Sequence, residues 1–247
     1  EVDMYVEGVT LFGLIWSSGC TGSTQGQIKW STFFKELCKG KKDGQYVFSD
    51  KAAYTPLILD ASLAEPVTVK NPLPEEGCVQ DYCFDKAKKK WLGWMKTQEK
   101  FIVPPGTPFN EIVVPTVDKV RYTALMKMLV EHTKPVLFTG PTGTGKTIYI
   151  QELLATGLDP KYVSLSMGMS AQTQSVQTQS IIDMKLDRRR KGVFGPTFGK
   201  EMVIFIDDLN MPIVEKYGAQ PPIELLRQSF DHNGWYDVLA PEKAFRT

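Results

Sequence analysis

The chain has 247 residues, 42% of them hydrophobic and 23% charged, an ordinary globular composition for one large or two small domains. Lys and Arg total 29 against 28 Asp and Glu, a formal net charge of +1 that argues against nucleic acid or an anionic membrane as partner. The best apolar run, residues 9–16, is broken by Gly13 and falls far short of the roughly 18 to 20 residues of a membrane-spanning helix, so the chain reads as soluble.

Glu1 opens the chain without the charged-then-apolar pattern of a leader, which reads as a piece of a longer protein. Residues 9–16 and 30–37 predict two helices joined by the polar stretch 17–27. In the second, Trp30, Phe33, Phe34 and Leu37 share one face, and Gly40 ends it. Residues 41–74 are punctuated by Gly44, Pro56, Pro66, Pro72 and Pro74, leaving room only for short extended pieces at 46–48 and 66–69. Residues 78–94 read as a β-hairpin whose turn carries the lysines of 86–90 as a solvated run. Cys20, Cys38, Cys78 and Cys83 lack disulfide density and zinc spacing, which predicts reduced thiols inside a cell. His132 and His232 have no Cys/His cluster around them and predict no metal site.

After Pro104 and Pro105 the pattern becomes regular. Thr116 is an N-cap candidate for a helix with Val117, Val120, Ala124 and Met128 on one face. A strand at 135–139, a helix at 147–156 stopped by Gly157, and a strand at 162–166 follow. A polar helix at 171–186, a fully buried strand at 202–206, and a helix from Pro221 to Phe230 complete the series. Alternating strands and helices predict an α/β fold with a parallel sheet between helices.

Residues 140–147, from Gly140 to Thr147, satisfy GxxxxGK[ST] between a predicted strand and a predicted helix. Gly143 and Gly145 let the backbone curl around phosphates, with Pro141, Thr142 and Thr144 completing the loop. Lys146 supplies positive charge to the outer phosphates, and the Thr147 hydroxyl is a ligand for Mg²⁺. About sixty residues on, the strand at 202–206 runs into Asp207, placed to hold the metal, and Asp208. Where Asp208 stands, many such ATPases carry a Glu that orients or deprotonates the attacking water. Aspartate is one methylene shorter, a displacement of about an ångström that weakens catalysis by positioning alone.

Residues 140–147, 188–196, 205–212 and 216–228 together resemble the third AAA+ module of a dynein heavy chain, and the paired Asp207 and Asp208 make it more similar to an axonemal form. The resemblance is dense over about residues 104–237. It implies a P-loop NTPase core of the AAA+ type at 104–247 without a lid of its own. It assigns residues 1–103 to the helical end of a preceding module with a loop and hairpin insert, and makes the basic run at 188–191, by its residues a solvated loop, an insert on the core. It also implies that Val114 and Pro115 approach the adenine, and that the cofactors are ATP or ADP with Mg²⁺.

The partners it implies are adjacent AAA+ modules of the same heavy chain, other dynein chains, and the microtubule through the full-length motor only. The location it implies is the reducing cytoskeletal interior of a ciliary or flagellar axoneme. In the resembled family the third module binds nucleotide to regulate the ATP-driven motor, with an arginine finger from a neighbour. The isolated piece is then expected to bind better than it turns over. Arg227 either faces such a neighbour or pairs with Glu224. The rival readings are a stand-alone P-loop ATPase of transport or secretion and a structural ring module with permanently bound ADP.

Overall fold

Two helices and a hairpin enclose an aromatic core at the N-terminal end of the chain. The computed structural model describes residues 2–39, 69–98, 101, 106, 113–190 and 192–236, with the backbone alone of 244–246. It divides into two units, Glu1–Arg121 and Tyr122–Thr247. The extended pieces predicted at 46–48 and 66–69 lie outside the described residues, apart from Val69.

In the first unit, α1 (Val2–Ser17) and α2 (Thr24–Lys39) are the two predicted helices, with a shorter link than predicted. Ser23 caps α2: its hydroxyl accepts the Gly26 N–H at 3.3 Å and its carbonyl the Gln27 N–H at 2.8 Å. The polar residues 24–27 are therefore a first helical turn, which apolar periodicity cannot reveal. Ile15, Phe34, Leu73, Val79, Phe84 and Trp91 form the core, with Trp30 stacked on Phe34 at a centroid distance of 4.5 Å.

The hairpin is β1 (Tyr82–Asp85) paired antiparallel with β2 (Lys90–Gly93). Its first arm starts later than predicted, because Val79–Asp81 close a 3₁₀ turn in which Asp81 Oδ2 accepts the Cys78 N–H at 2.8 Å. Asp85 Oδ1 holds the lysine-bearing turn by accepting the N–H groups of Ala87 and Lys88 at 2.9 and 3.0 Å. The indole N–H groups of Trp91 and Trp94 donate to the carbonyls of Asn71 and Gln80 at 3.2 and 2.9 Å, so neither is buried unpaired.

The helix predicted after Thr116 is α3 (Val117–Glu131), with Thr116 Oγ1 accepting the Lys119 N–H at 3.2 Å. Its buried positions are Val120 and Met126, whereas Val117 and Met128 are exposed. Met126 and Val130, one turn apart, pack with Ile150 and Leu153, which rotates the apolar face from the predicted one. The helix after the glycine-rich loop is α4 (Lys146–Glu152), continuing into a π turn, Leu153–Gly157. Next come β3 (Tyr162–Gly168) and α5 (Ser175–Asp183). The helix α5 is shorter than its predicted 171–186, because the Ser170 N–H donates to Thr173 Oγ1 at 2.8 Å and diverts the chain into a turn.

The strands β4 (Asp187–Arg190) and β5 (Val193–Gly195) pair antiparallel, so the arginines lie on an exposed strand rather than a loop. The chain then forms β6 (Glu201–Asp207), α6 (Pro221–His232), β7 (Gly234–Tyr236) and β8 (Ala244–Arg246). Among the described residues, β3 and β6 make a parallel pair, and β4, β5, β8 and β7 a mixed sheet in that order. Leu165, Ile182 and Trp235 are the buried centre between them and α5. The mixture of helices with a parallel pair is the predicted α/β class.

Two strand expectations are corrected. Residues 134–140 form no regular element and, among the described residues, join no ladder, with Leu137 72% exposed; a run of apolar residues does not by itself supply a partner strand. The strand β6 is not fully buried, Ile204 being 37% exposed, because its one described neighbour is β3. No described helix is long and apolar enough to cross a membrane, and no described residues form a metal cluster. His132 Nδ1 lies 2.8 Å from the Met128 carbonyl.

The four cysteines are free thiols. Burial, with the charge of Glu7, pushes the Cys38 thiol from its ordinary 9.0 up to about 11. Because the folded chain favours the neutral thiol, stability is to fall as the pH rises above the ordinary value. Alkylation of Cys38 at pH 8 is expected to be on the order of a hundredfold slower folded than in denaturant, as measured by mass spectrometry of the labelled peptide. A second prediction separates two glycines of α1. A Cβ on Gly8 would meet the Phe84 ring at 2.2 Å, whereas one on Gly13 meets nothing within 4 Å. Gly13→Ala is expected to stabilise by about 0.5–1 kcal/mol through helix propensity. Gly8→Ala is expected to destabilise by about 1 kcal/mol or more, since overpacking a buried ring costs about 1–3 kcal/mol; urea unfolding of both variants gives the signs.

Candidate functional site

Two short segments carry the site: the loop leading into α4 and the end of β6. Gly145 sits at the helix N-cap with φ 83° and ψ 7°, a left-handed conformation that a side chain would strain. Gly143 has φ 80°, and a Cβ built there would meet no atom within 4 Å, so the backbone is uncovered on that side. Pro141, Thr142, Gly143 and Thr144 are all exposed. The loop is thus an open backbone cradle into which the first turn of α4 brings Lys146 and Thr147.

Lys146 lies across its own loop. Its ammonium donates to the carbonyls of Gly140 and Pro141 at 2.9 and 2.6 Å and to Thr144 Oγ1 at 3.3 Å. Thr144 in turn donates its hydroxyl to the Pro141 carbonyl at 3.0 Å, tying the loop's two ends together. The chemistry is that of a cation held beside a ring of backbone dipoles, able to exchange neutral carbonyl acceptors for the stronger charge-assisted bonds of an anion.

The loop and β6 meet through side chains. Thr147 Oγ1 donates to Asp207 Oδ2 at 2.9 Å across 60 residues of sequence. The second carboxylate oxygen, Oδ1, accepts the Asp208 N–H at 3.1 Å. The parallel register sets Asp207 opposite Gly168, and the Asp207 carbonyl accepts the Met169 N–H at 3.0 Å. A hydroxyl and a carboxylate at hydrogen-bond distance, beside a phosphate-type loop, are the hard oxygen donors that suit Mg²⁺. The residues present therefore fit a magnesium-bound phosphate group.

Asp208 differs from its neighbour. It is exposed and has φ 53°, and its carbonyl accepts the Met211 N–H at 2.9 Å in the turn that ends the strand. A non-glycine residue in that region is strained, and such strain is characteristic of functional turns. Val114 and Pro115 belong to the first unit, in the irregular residues 113–116 ahead of α3, with Val114 exposed. Arg227 makes the predicted pair with Glu224, at 2.8 Å, and a second with Asp231 at 2.9 Å. Sequence reasoning missed Tyr149, whose ring lies against Gly145; the i to i+4 spacing from that glycine was the available signal.

Comparison with known proteins gives a consistent result. Residues 101–245 match the family described as the P-loop containing dynein motor region, and residues 1–96 match the dynein heavy chain AAA lid domain. Dynein axonemal heavy chain 12 of Rattus norvegicus is 43% identical over 236 residues, covering 92% of this chain and 7% of the relative. Dynein axonemal heavy chain 1 of Homo sapiens is 42% identical over 248 residues, 94% of this chain and 5% of the relative. Dynein axonemal heavy chain 3 of Homo sapiens is 38% identical over 240 residues, 96% and 6% respectively. The chain thus spans well under a tenth of the curated relatives it matches.

The bridge between loop and strand has a measurable strength. Thr147→Val, which keeps the shape and removes the donor, is expected to cost about 0.5–1.5 kcal/mol in urea unfolding, while Thr147→Ser is expected to stay near wild type.

Proposed function

Because the chain belongs to the dynein heavy chain family, as part of its P-loop motor region, we propose that it binds Mg·ATP or Mg·ADP as a regulatory AAA+ module of an axonemal motor. Membership makes it a P-loop module of the nucleotide-binding AAA+ type and disfavours a stand-alone transport or secretion ATPase. The observation that carries the finer reading is the Thr147–Asp207 hydrogen bond, which pairs the two expected magnesium-holding groups beside the loop.

In this reading the backbone of Gly140, Pro141, Thr142, Gly143, Thr144 and Gly145 cradles the phosphates and Lys146 binds the outer ones. Thr147 and Asp207 hold Mg²⁺, which when bound neutralises charge on the phosphate oxygens. Asp208 orients the attacking water from its strained turn. The domain boundary lies near residue 103, with the lid-type helices and hairpin before it and the core after it. Resemblance to the third module of the ring supports a role in gating the motor rather than driving it. Adjacent modules of the same heavy chain, other dynein chains and, through the whole motor, the microtubule are the partners, in a ciliary or flagellar axoneme. The axonemal relatives support that location.

Titration calorimetry on the folded chain tests this. Wild type is expected to bind Mg·ATP or Mg·ADP, and Lys146→Ala to lose at least about tenfold in affinity through the lost charge-assisted bonds, with unfolding unchanged. Heat from neither nucleotide overturns the reading. Asp208→Asn is expected to lower any turnover more than affinity; equal loss in both assigns Asp208 to binding instead of chemistry.

A further inference from the structure

We propose that Tyr149 is a positioning residue that braces the phosphate loop at Gly145. The inference rests on the nucleotide reading only for its consequence, since the brace itself is a property of the loop. Side chains on an α-helix lean toward its N-terminus, so a residue in the first turns of α4 covers the backbone about one turn earlier. For Tyr149 that backbone is Gly145, whose carbonyl accepts the Tyr149 N–H at 3.1 Å.

The ring reaches further than the hydrogen bond. A methyl group placed on Gly145 would lie 2.9 Å from Tyr149 Cζ, 3.1 Å from its hydroxyl oxygen and 3.2 Å from Cε1. The phenol end of the ring therefore lies directly over the glycine Cα. Glycine is needed there twice, once for φ 83° and once for the space.

A left-handed glycine is cheap to form and equally cheap to leave, because glycine populates both signs of φ. Something else must hold Gly145 in that state if Lys146 is to start the helix at one fixed angle. At Gly143 a Cβ would meet no atom within 4 Å, whereas at Gly145 the half-buried Tyr149 ring lies in contact. Tyr149 is anchored through its own helix, since the next residue, Ile150, is buried in the cluster with Met126 and Leu153. The aromatic ring thus couples the packed base of α4 to the turn that presents the lysine.

The ring acts on the phosphate end, so its loss affects ligands with and without a base alike. Hydrogen exchange of the amide at position 149, which donates to the Gly145 carbonyl, with calorimetry of inorganic tripolyphosphate and of ATP in Mg²⁺, tests this on the whole chain. Tyr149→Ala is expected to speed exchange of that amide about tenfold while β3 and β6 stay unchanged. It is expected to weaken both ligands equally, by about fivefold to tenfold, and Tyr149→Phe to restore both. Tyr149→Leu, which keeps bulk near the backbone but not the reach, carries the same expectation if alanine unfolds the chain.

Unchanged exchange at position 149 overturns the brace. A loss confined to ATP overturns it in favour of a base or ribose contact, and failure of phenylalanine to rescue overturns it in favour of the hydroxyl as a ligand. Faster exchange at position 149 in a chain whose wild type binds neither ligand supports the brace and overturns the nucleotide reading.

Discussion

The hydrogen bond from Thr147 to Asp207 joins two segments that the chain reaches by unrelated routes. Thr147 arrives at the start of α4, whose base is set by Ile150 and Leu153 in the core; Asp207 arrives at the last ladder position of β6, opposite Gly168. Neither element controls where the other ends. Their meeting at 2.9 Å depends on the parallel register of β3 and β6 and on the packing of Phe205 against the α4 cluster. A one-residue slip in the strand would exchange its two faces and carry the carboxylate away from the hydroxyl. The site is therefore a readout of sheet register, and the apolar contacts that fix that register act on the chemistry at a distance.

The parts of the site legible in sequence are those that local spacing dictates. Eight consecutive residues, 140–147, specify a turn, a lysine and a hydroxyl because each has a fixed offset from the glycines. Asp207 was legible because an apolar run ends in an acid, which is a local pattern too. Tyr149 was not, since its role depends on where a ring lies relative to a left-handed backbone, and φ at Gly145 is a property of the folded turn.

The same division explains the fold. Thr116 as an N-cap, Pro221 at the start of α6 and the hairpin at 82–93 follow from neighbours within four residues. The arginines of β4 form a strand only because residues 193–195 fold back on them, which no periodicity over 187–190 contains. The apolar run at 135–139 shows the converse: its composition suits a strand, but among the described residues it pairs with none, because pairing needs a partner that local composition does not contain. The polar first turn of α2 is a third case, decided by one serine oxygen rather than by any apolar stripe.

The way α4 is rooted has a mechanical consequence. Leu153 and Ile150 fix its C-terminal end in the core, and the π turn beyond them is widened rather than broken, while residues 141–144 at the other end stand in solvent. The element spans about 10 Å, by the rise of a seven-residue helix. Its other end is tied as well, by the Thr147–Asp207 hydrogen bond, so only the solvent-facing loop residues 141–144 are left to adjust to cargo of different length. The interior that clamps the C-terminal end is left undisturbed.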